Sequence, residues 1–192
     1  MGCVQDFMQH ATHAAMPQAA KALRVVLKTF HDNKKLRGVD EMLARLYAPI
    51  LWRALNCANP GVRRNASSLF FDAFPILNPD SSHEHTDDAM QKQFDQLKSL
   101  LMDKDVAVRA NAVLGVCRVL TNYWELMTVP TSGALLKLIV QQLAFDSSSA
   151  IVRAAVCQGV GLVLSNHLTH PILKSLLPTL GPLVHDRTEK VQ

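Results

Sequence analysis

The chain has 192 residues, 48% hydrophobic and 19% charged, a balance that suits a folded protein rather than a disordered one. Its net charge of +4 is uneven. Residues 1–64 carry ten Lys/Arg against four Asp/Glu, and residues 65–192 carry ten against twelve. No apolar run reaches the roughly 18–20 residues of a membrane span, and Cys3, Cys57, Cys117 and Cys157 have no C-x-x-C spacing; transmembrane and disulfide-framework classes are not expected.

In chain order, residues 4–16 are Ala/His-rich and read as a weak helix at best. Gly2-Cys3 is followed by Asp6, where a myristoylation pattern wants Ser or Thr. Pro17 opens a helix through Phe30, with Ala22, Val25, Val26 and Thr29 spaced for one buried face. A basic turn, His31–Gly38, leads into Val39–Cys57, where Asp40 and Glu41 favour the helix start and Pro49 predicts a break near Tyr47–Ala48. Asn59-Pro60-Gly61 turns into a helix over 62–74. Two prolines and a polar run mark 75–88 as a loop. Met90, Phe94, Leu97 and Leu101 then form an apolar stripe. Further helices are expected over 106–121, 132–145, 150–165 and 169–184, the last shortened or kinked by Pro178 and Pro182.

A repeat underlies this order. Val62, Val108, Val152 and Val191 each begin a related phrase, at spacings of 46, 44 and 39 residues. At +4, +8 and +11 from the first three stand Ala66, Phe70 and Ala73; Ala112, Val116 and Val119; and Val156, Val160 and Val163. Those offsets trace one face of a helix. A period of roughly 40–47 residues with two helices per unit is the pattern of HEAT or armadillo arrays. The expected fold is therefore an all-α solenoid of antiparallel helix pairs. An N-terminal helical segment and basic turn (1–38) precede an array over 39–192, with pairs at about 39–75, 89–122, 131–166 and a truncated 169–192. Arrays of this kind bury their apolar faces against neighbouring repeats, so the sequence as given is expected to belong to a longer array or to end against a partner.

Candidate sites follow from the repeat. Arg63, Arg109 and Arg153 each stand one residue after the repeat valine; with Asp103, Asp146 and Asp186 in the turns they form an expected ladder of charge-assisted bonds. Asn59 replaces Asp in the first unit and Gln192 replaces Arg in the last. Lys34, Lys35, Arg37, Arg63 and Arg64 are the candidates for contact with duplex DNA phosphates, as one patch if their turns share an edge; a solvated basic surface is the alternative. His83-Glu84-His85 is a weak metal pattern. No hydrolase, zincin, P-loop or dinucleotide fingerprint is present, so neither a catalytic site nor a cofactor is expected. Trp52 and Trp124 leave open a scaffold of the transport or phosphatase type that binds extended peptides.

The segments E-M-L-A-R-L-Y-A-P-I-L-W-R-A-L (41–55), V-R-R-N-A-S-S-L-F-F-D-A-F-P-I-L-N-P-D (62–80), L-G-V-C-R (114–118) and L-A-F-D-S-S-S-A-I-V-R (143–153) carry a more specific signal. With them the chain resembles the HEAT-repeat G-type, non-SMC subunits of condensin II, from about Phe30 to the end. The resemblance implies a non-catalytic, nuclear subunit in mitotic chromosome condensation. Such a subunit clasps a kleisin chain and helps hold duplex DNA beside the SMC ATPase heterodimer, which supplies the hydrolysis.

Overall fold

The structure, a computed structural model, describes residues 2–192; Met1, the first residue of the expected N-terminal segment, lies outside them. The chain is all-α: ten α-helices and several short 3-10 or π turns make up the regular structure among the described residues, with no strand. It divides into two compact units, residues 1–96 and 97–192, with the boundary inside α6.

In the first unit α1 (Gly2–His13) packs against α2 (Pro17–Asp32) and α5 (Pro60–Ala73). The weak helix expected over 4–16 is thus a regular one. Its own propensity is poor, but Met8, Ala11 and Thr12 are buried, and tertiary packing stabilises what sequence alone leaves marginal. Gly38 adopts φ 79 at the start of α3 (Val39–Tyr47), a left-handed conformation that an L side chain would strain. Pro49 acts as expected: α3 stops at Tyr47, and α4 (Leu51–Leu55) follows after a turn. The core is aromatic. Phe70 meets Phe71, Phe74 and Trp52 at centroid distances of 5.8, 6.0 and 5.8 Å, and Phe74 meets Phe94 at 6.5 Å. The loop before α6 (His83–Leu101) is shorter than the 75–88 expected, and Gln93 pins it by bonding both the N–H and the C=O of Ile76.

The face expected to bury α2 is the wrong one. Ala22, Val25, Val26 and Thr29 are exposed, and the helix turns Ala20, Leu27 and His31 inward, with Leu23 and Phe30 half-buried beside them. Both arcs have helical spacing, and the arc with the larger Leu and Phe side chains removes more apolar area from water.

In the second unit α7 (Val106–Asn122) lies against α9 (Ala150–Leu164). Gly159 permits their close approach: a Cβ there would sit 2.6 Å from Cys117 Sγ. The helix expected over 132–145 is α8 (Val129–Lys137), continued by a wider π turn at 138–142 and a tight one at 143–145. α10 (His170–Leu176) ends before Pro178, and 177–185 winds on as a 3-10 helix through Pro182. All twelve aligned repeat positions, from Val62 to Val163, are buried.

Candidate functional site

The repeat valines fix where the polar groups of each turn fall. Three residues before Val62, Val108 and Val152 stand Asn59, Asp105 and Ser149, and each side chain caps its helix. Asn59 accepts from Gly61 N at 2.8 Å, Asp105 from Ala107 N at 2.9 Å and Val108 N at 3.1 Å, and Ser149 from Ile151 N at 3.2 Å. Asn59 is therefore a helix cap and does not stand in for a ladder aspartate as the sequence alignment placed it. Asp103, Asp146 and Asp186 do a different job. Each accepts the N–H two residues on, from Asp105, Ser148 and Thr188, at 2.8 Å.

The repeat arginines join these turns. Arg109 donates through Nε and Nη2 to Asp146 Oδ2, at 3.0 and 2.9 Å, and through Nη2 to Ser148 Oγ at 2.6 Å. Arg153 donates through Nε to Asp186 Oδ2 at 2.7 Å and through Nη2 to Asp186 Oδ1 at 3.0 Å. In the second unit, then, each arginine reaches the aspartate of the following turn. Burial opposes ionisation of Asp146, but the hydrogen bonds from Ser148 and Arg109 hold it below the usual carboxylate range. The hydrogen bonds from Arg153 and from Thr188 N hold Asp186 at about 2. A second role of the arginines is visible only in the structure. Arg63 Nη1 donates to the carbonyls of Cys57 and Ala58, both at 2.8 Å, and Arg109 Nη1 to those of Asp103 and Lys104, at 2.8 and 3.2 Å. Arg153 Nη1 likewise donates to the carbonyl of Asp146 at 2.9 Å, so the acceptors lie five to seven residues before each arginine, in the turn that precedes its helix.

The basic candidates separate into two groups. The 33–38 turn precedes the α3–α4 segment, and the turn holding residues 56–59 follows it, so the two lie at opposite ends of that segment. Lys34 ties the first turn to the far end of α5: its Nζ donates to the carbonyls of Ala73 and, at 2.6 Å, Pro75. Nine residues of helix, roughly 14 Å, separate Ala73 from Arg64. The single patch combining Lys34, Lys35, Arg37, Arg63 and Arg64 does not form. Lys34 and Arg63 direct their cations onto the chain's own carbonyls, and burial pushes the Lys34 ammonium down to about 8. Lys35 and Arg37 are exposed in the turn, and Arg64 is half-buried.

The remaining polar features are structural. His31 and Tyr47 form a buried pair, Nε2 to Oη 2.7 Å, beside the Arg24–Asp72 bridge at 2.6 Å. Burial pushes the His31 imidazole down to about 4. Asn65 donates to the carbonyls of Thr12 and Ala14 at the end of α1. Trp52 packs edge-on against Phe70, and Lys92 Nζ lies 4.8 Å from its ring centroid. His85 is bonded to Ser82 in the exposed first turn of α6, and among the described residues no group of three His, Cys, Asp or Glu is placed to hold a metal ion. Burial pushes the Cys117 thiol up to about 12, which leaves it inert as a nucleophile near neutral pH.

A family described as "Condensin II non structural maintenance of chromosomes subunit" matches residues 1–78. The chain is 46% identical over 192 residues to Condensin-2 complex subunit G2 of Homo sapiens, 47% over 192 residues to that of Danio rerio, and 44% over 193 residues to that of Xenopus laevis. Each alignment covers 99% of this chain, so the likeness includes the first thirty residues, which the motifs above did not reach. The chain spans 16–17% of the length of those relatives. No solved structure matches significantly. By sequence the chain is thus similar, over 99% of its own length, to part of the condensin-2 complex G2 subunits.

Proposed function

We propose that this chain is part of a non-catalytic HEAT-repeat subunit of condensin II. In this reading it works on nuclear chromosomes, where it helps to clasp a kleisin chain and to hold duplex DNA beside the SMC ATPase heterodimer. The alignment of 99% of its length with part of Condensin-2 complex subunit G2 chains carries the proposal. The uneven charge supports the DNA part, since the positive excess falls entirely in residues 1–64. Lys35 and Arg37, exposed together in a short turn, make the first phosphate contact. Arg64, at the other end of α5, makes a separate one. Each neutralised phosphate releases condensed counterions, so affinity falls steeply with salt.

The test is duplex-DNA binding by the chain across a salt series, beside Lys35→Glu/Arg37→Glu and, separately, Arg64→Glu. Lys34 is left intact, because a glutamate there would face the Ala73 and Pro75 carbonyls and disturb the fold. The expected result is salt-sensitive binding by the unaltered chain that drops at least tenfold in the double variant. Salt-insensitive binding, or equal binding by the double variant, would remove DNA contact from this part of the subunit.

A further inference from the structure

One face of α2 is apolar and, among the described residues, is left exposed. Val25 is 63% exposed and Val26 45%, and Ala22 and Thr29 are exposed beside them. Residues three and four apart on a helix are neighbours, about 5–6 Å between Cβ atoms, so these four make a continuous strip. Met16 and Leu36, 67% and 59% exposed, add apolar surface near the two ends of the helix. The edge of the strip is basic. Lys21 and Lys28 stand one turn before and after Val25 along the same side, both exposed. Arg24 is taken up by Asp72 and Lys34 by the carbonyls of Ala73 and Pro75, so Lys21 and Lys28 are the cations of this edge, Lys28 pairing with Asp32 across an exposed 2.5 Å contact.

From this arrangement we infer that the outer face of α2 is a docking site for an amphipathic helix whose apolar stripe is flanked by Asp or Glu. The strip is shaped for a helix: 16 residues of α2 are roughly 24 Å long, the span of a partner helix of four to five turns. Its side chains are short, so a partner helix with larger side chains can approach closely, and its lysines meet the partner's carboxylates at the rim. Other occupants fit less well. A second copy of the chain, paired face to face, would set Lys21 and Lys28 against their own equivalents. A membrane surface would find no Leu, Phe or Trp on the strip to insert. DNA gains nothing from apolar contact there. The site goes beyond the proposed DNA contact and uses different residues.

The test titrates the 192-residue chain with a synthetic 20-residue amphipathic helix carrying a Leu/Ile stripe flanked by Glu, followed by fluorescence anisotropy and by backbone-amide shifts. The same peptide with Lys in place of Glu is the control. The expected result is saturable binding of the Glu peptide with shifts centred on α2. Val25→Asp/Val26→Asp weakens it at least tenfold with an unchanged circular dichroism spectrum and melting temperature, because both side chains lie outside the core. Lys21→Glu/Lys28→Glu reverses the preference toward the Lys peptide, and Lys35→Glu/Arg37→Glu leaves peptide binding intact whatever its effect on DNA. Equal binding of the two peptides, or shifts elsewhere, would overturn the site. So would loss in Val25→Asp/Val26→Asp of self-association by sedimentation, or of binding to phosphatidylserine vesicles, in place of loss of peptide binding.

Discussion

The two units use the same helical material and weight their polar contacts differently. In residues 1–96 the Arg24–Asp72 bridge stands among contacts that are neutral or end on carbonyls. His31 pairs with Tyr47, Asn65 caps α1, Gln93 pins the loop at Ile76, and Lys34 rests on the end of α5. In residues 97–192 the core is Leu, Val and Ala, with Gly159 close against Cys117, and Arg109–Asp146 and Arg153–Asp186 bridge successive turns at the rim. A repeat can therefore hold its period while each unit meets its hydrogen-bonding needs differently. The period belongs to the apolar face, and the polar solution belongs to the turn.

The two tryptophans allow the comparison to be tested one unit at a time, since Trp52 lies in the first and Trp124 in the second. The largest effect is expected from Gly159→Val. Its Cβ alone would stand 2.6 Å from Cys117 Sγ and 3.3 Å from Cys117 Cβ, both buried, so overpacking costs about 3 kcal/mol or more. Urea unfolding followed by Trp124 in a Trp52→Phe background measures it, and Cys117→Ala in the same chain should restore a substantial part. An unchanged midpoint would mean that α7 and α9 are not held at this distance.

Next in size is an acid effect confined to the first unit. With its pKa lowered to about 4, folded His31 refuses a proton that the unfolded chain takes up near 6.5. Its contribution is fully present above about pH 6.5 and is lost as pH falls toward 4, on the order of 3 kcal/mol. The Trp52 signal should report this slope, and His31→Gln should flatten it. Asp186, held at about 2, acts in a lower window: its contribution is present above the ordinary carboxylate range near 4 and is lost as pH falls toward 2. The two units thus separate on an acid titration, the first weakening before the second.

A smaller effect follows from the rungs. Arg109→Ala, which leaves Asp146 partly buried beside Ser148, is expected to cost about 1–3 kcal/mol. A double-mutant cycle with Asp146→Asn isolates the pair, and a coupling near zero would demote the rung to a surface contact. Smallest of all, Gly161→Ala on the open side of α9, where a Cβ meets nothing within 4 Å, should stabilise the second unit by about 0.5–1 kcal/mol.

Much of this was legible in the sequence. The Val62, Val108 and Val152 phrases located α5, α7 and α9 and their buried faces, because a period repeated three times averages out local ambiguity. Pro49 and Pro178 marked breaks by a steric rule that needs no context. The inward face of α2 was not legible, since two overlapping apolar arcs had the same spacing and only packing chose between them. α1 read only as a weak helix over 4–16 for a related reason: its stability comes from packing on α2 and α5 more than from its own residues. Among the site candidates, the repeat spacing anticipated the Arg109–Asp146 and Arg153–Asp186 contacts, but not the carbonyl bonds of Arg63 or the fate of Lys34. Nothing local to the 31–38 turn announces carbonyls forty residues away at Ala73 and Pro75.

The cations of this chain divide: Arg109 and Arg153 join turns to one another, and the 33–38 turn is the one we propose for contact with DNA phosphates. The most direct measurement is a backbone-amide shift map of the chain titrated with a short DNA duplex at low salt. The account predicts shifts concentrated at residues 33–38, with Lys35 and Arg37 at the centre and a second, weaker group around Arg64, all fading as salt is raised. Shifts centred on Arg109 and Arg153, with residues 33–38 unmoved, would contradict it.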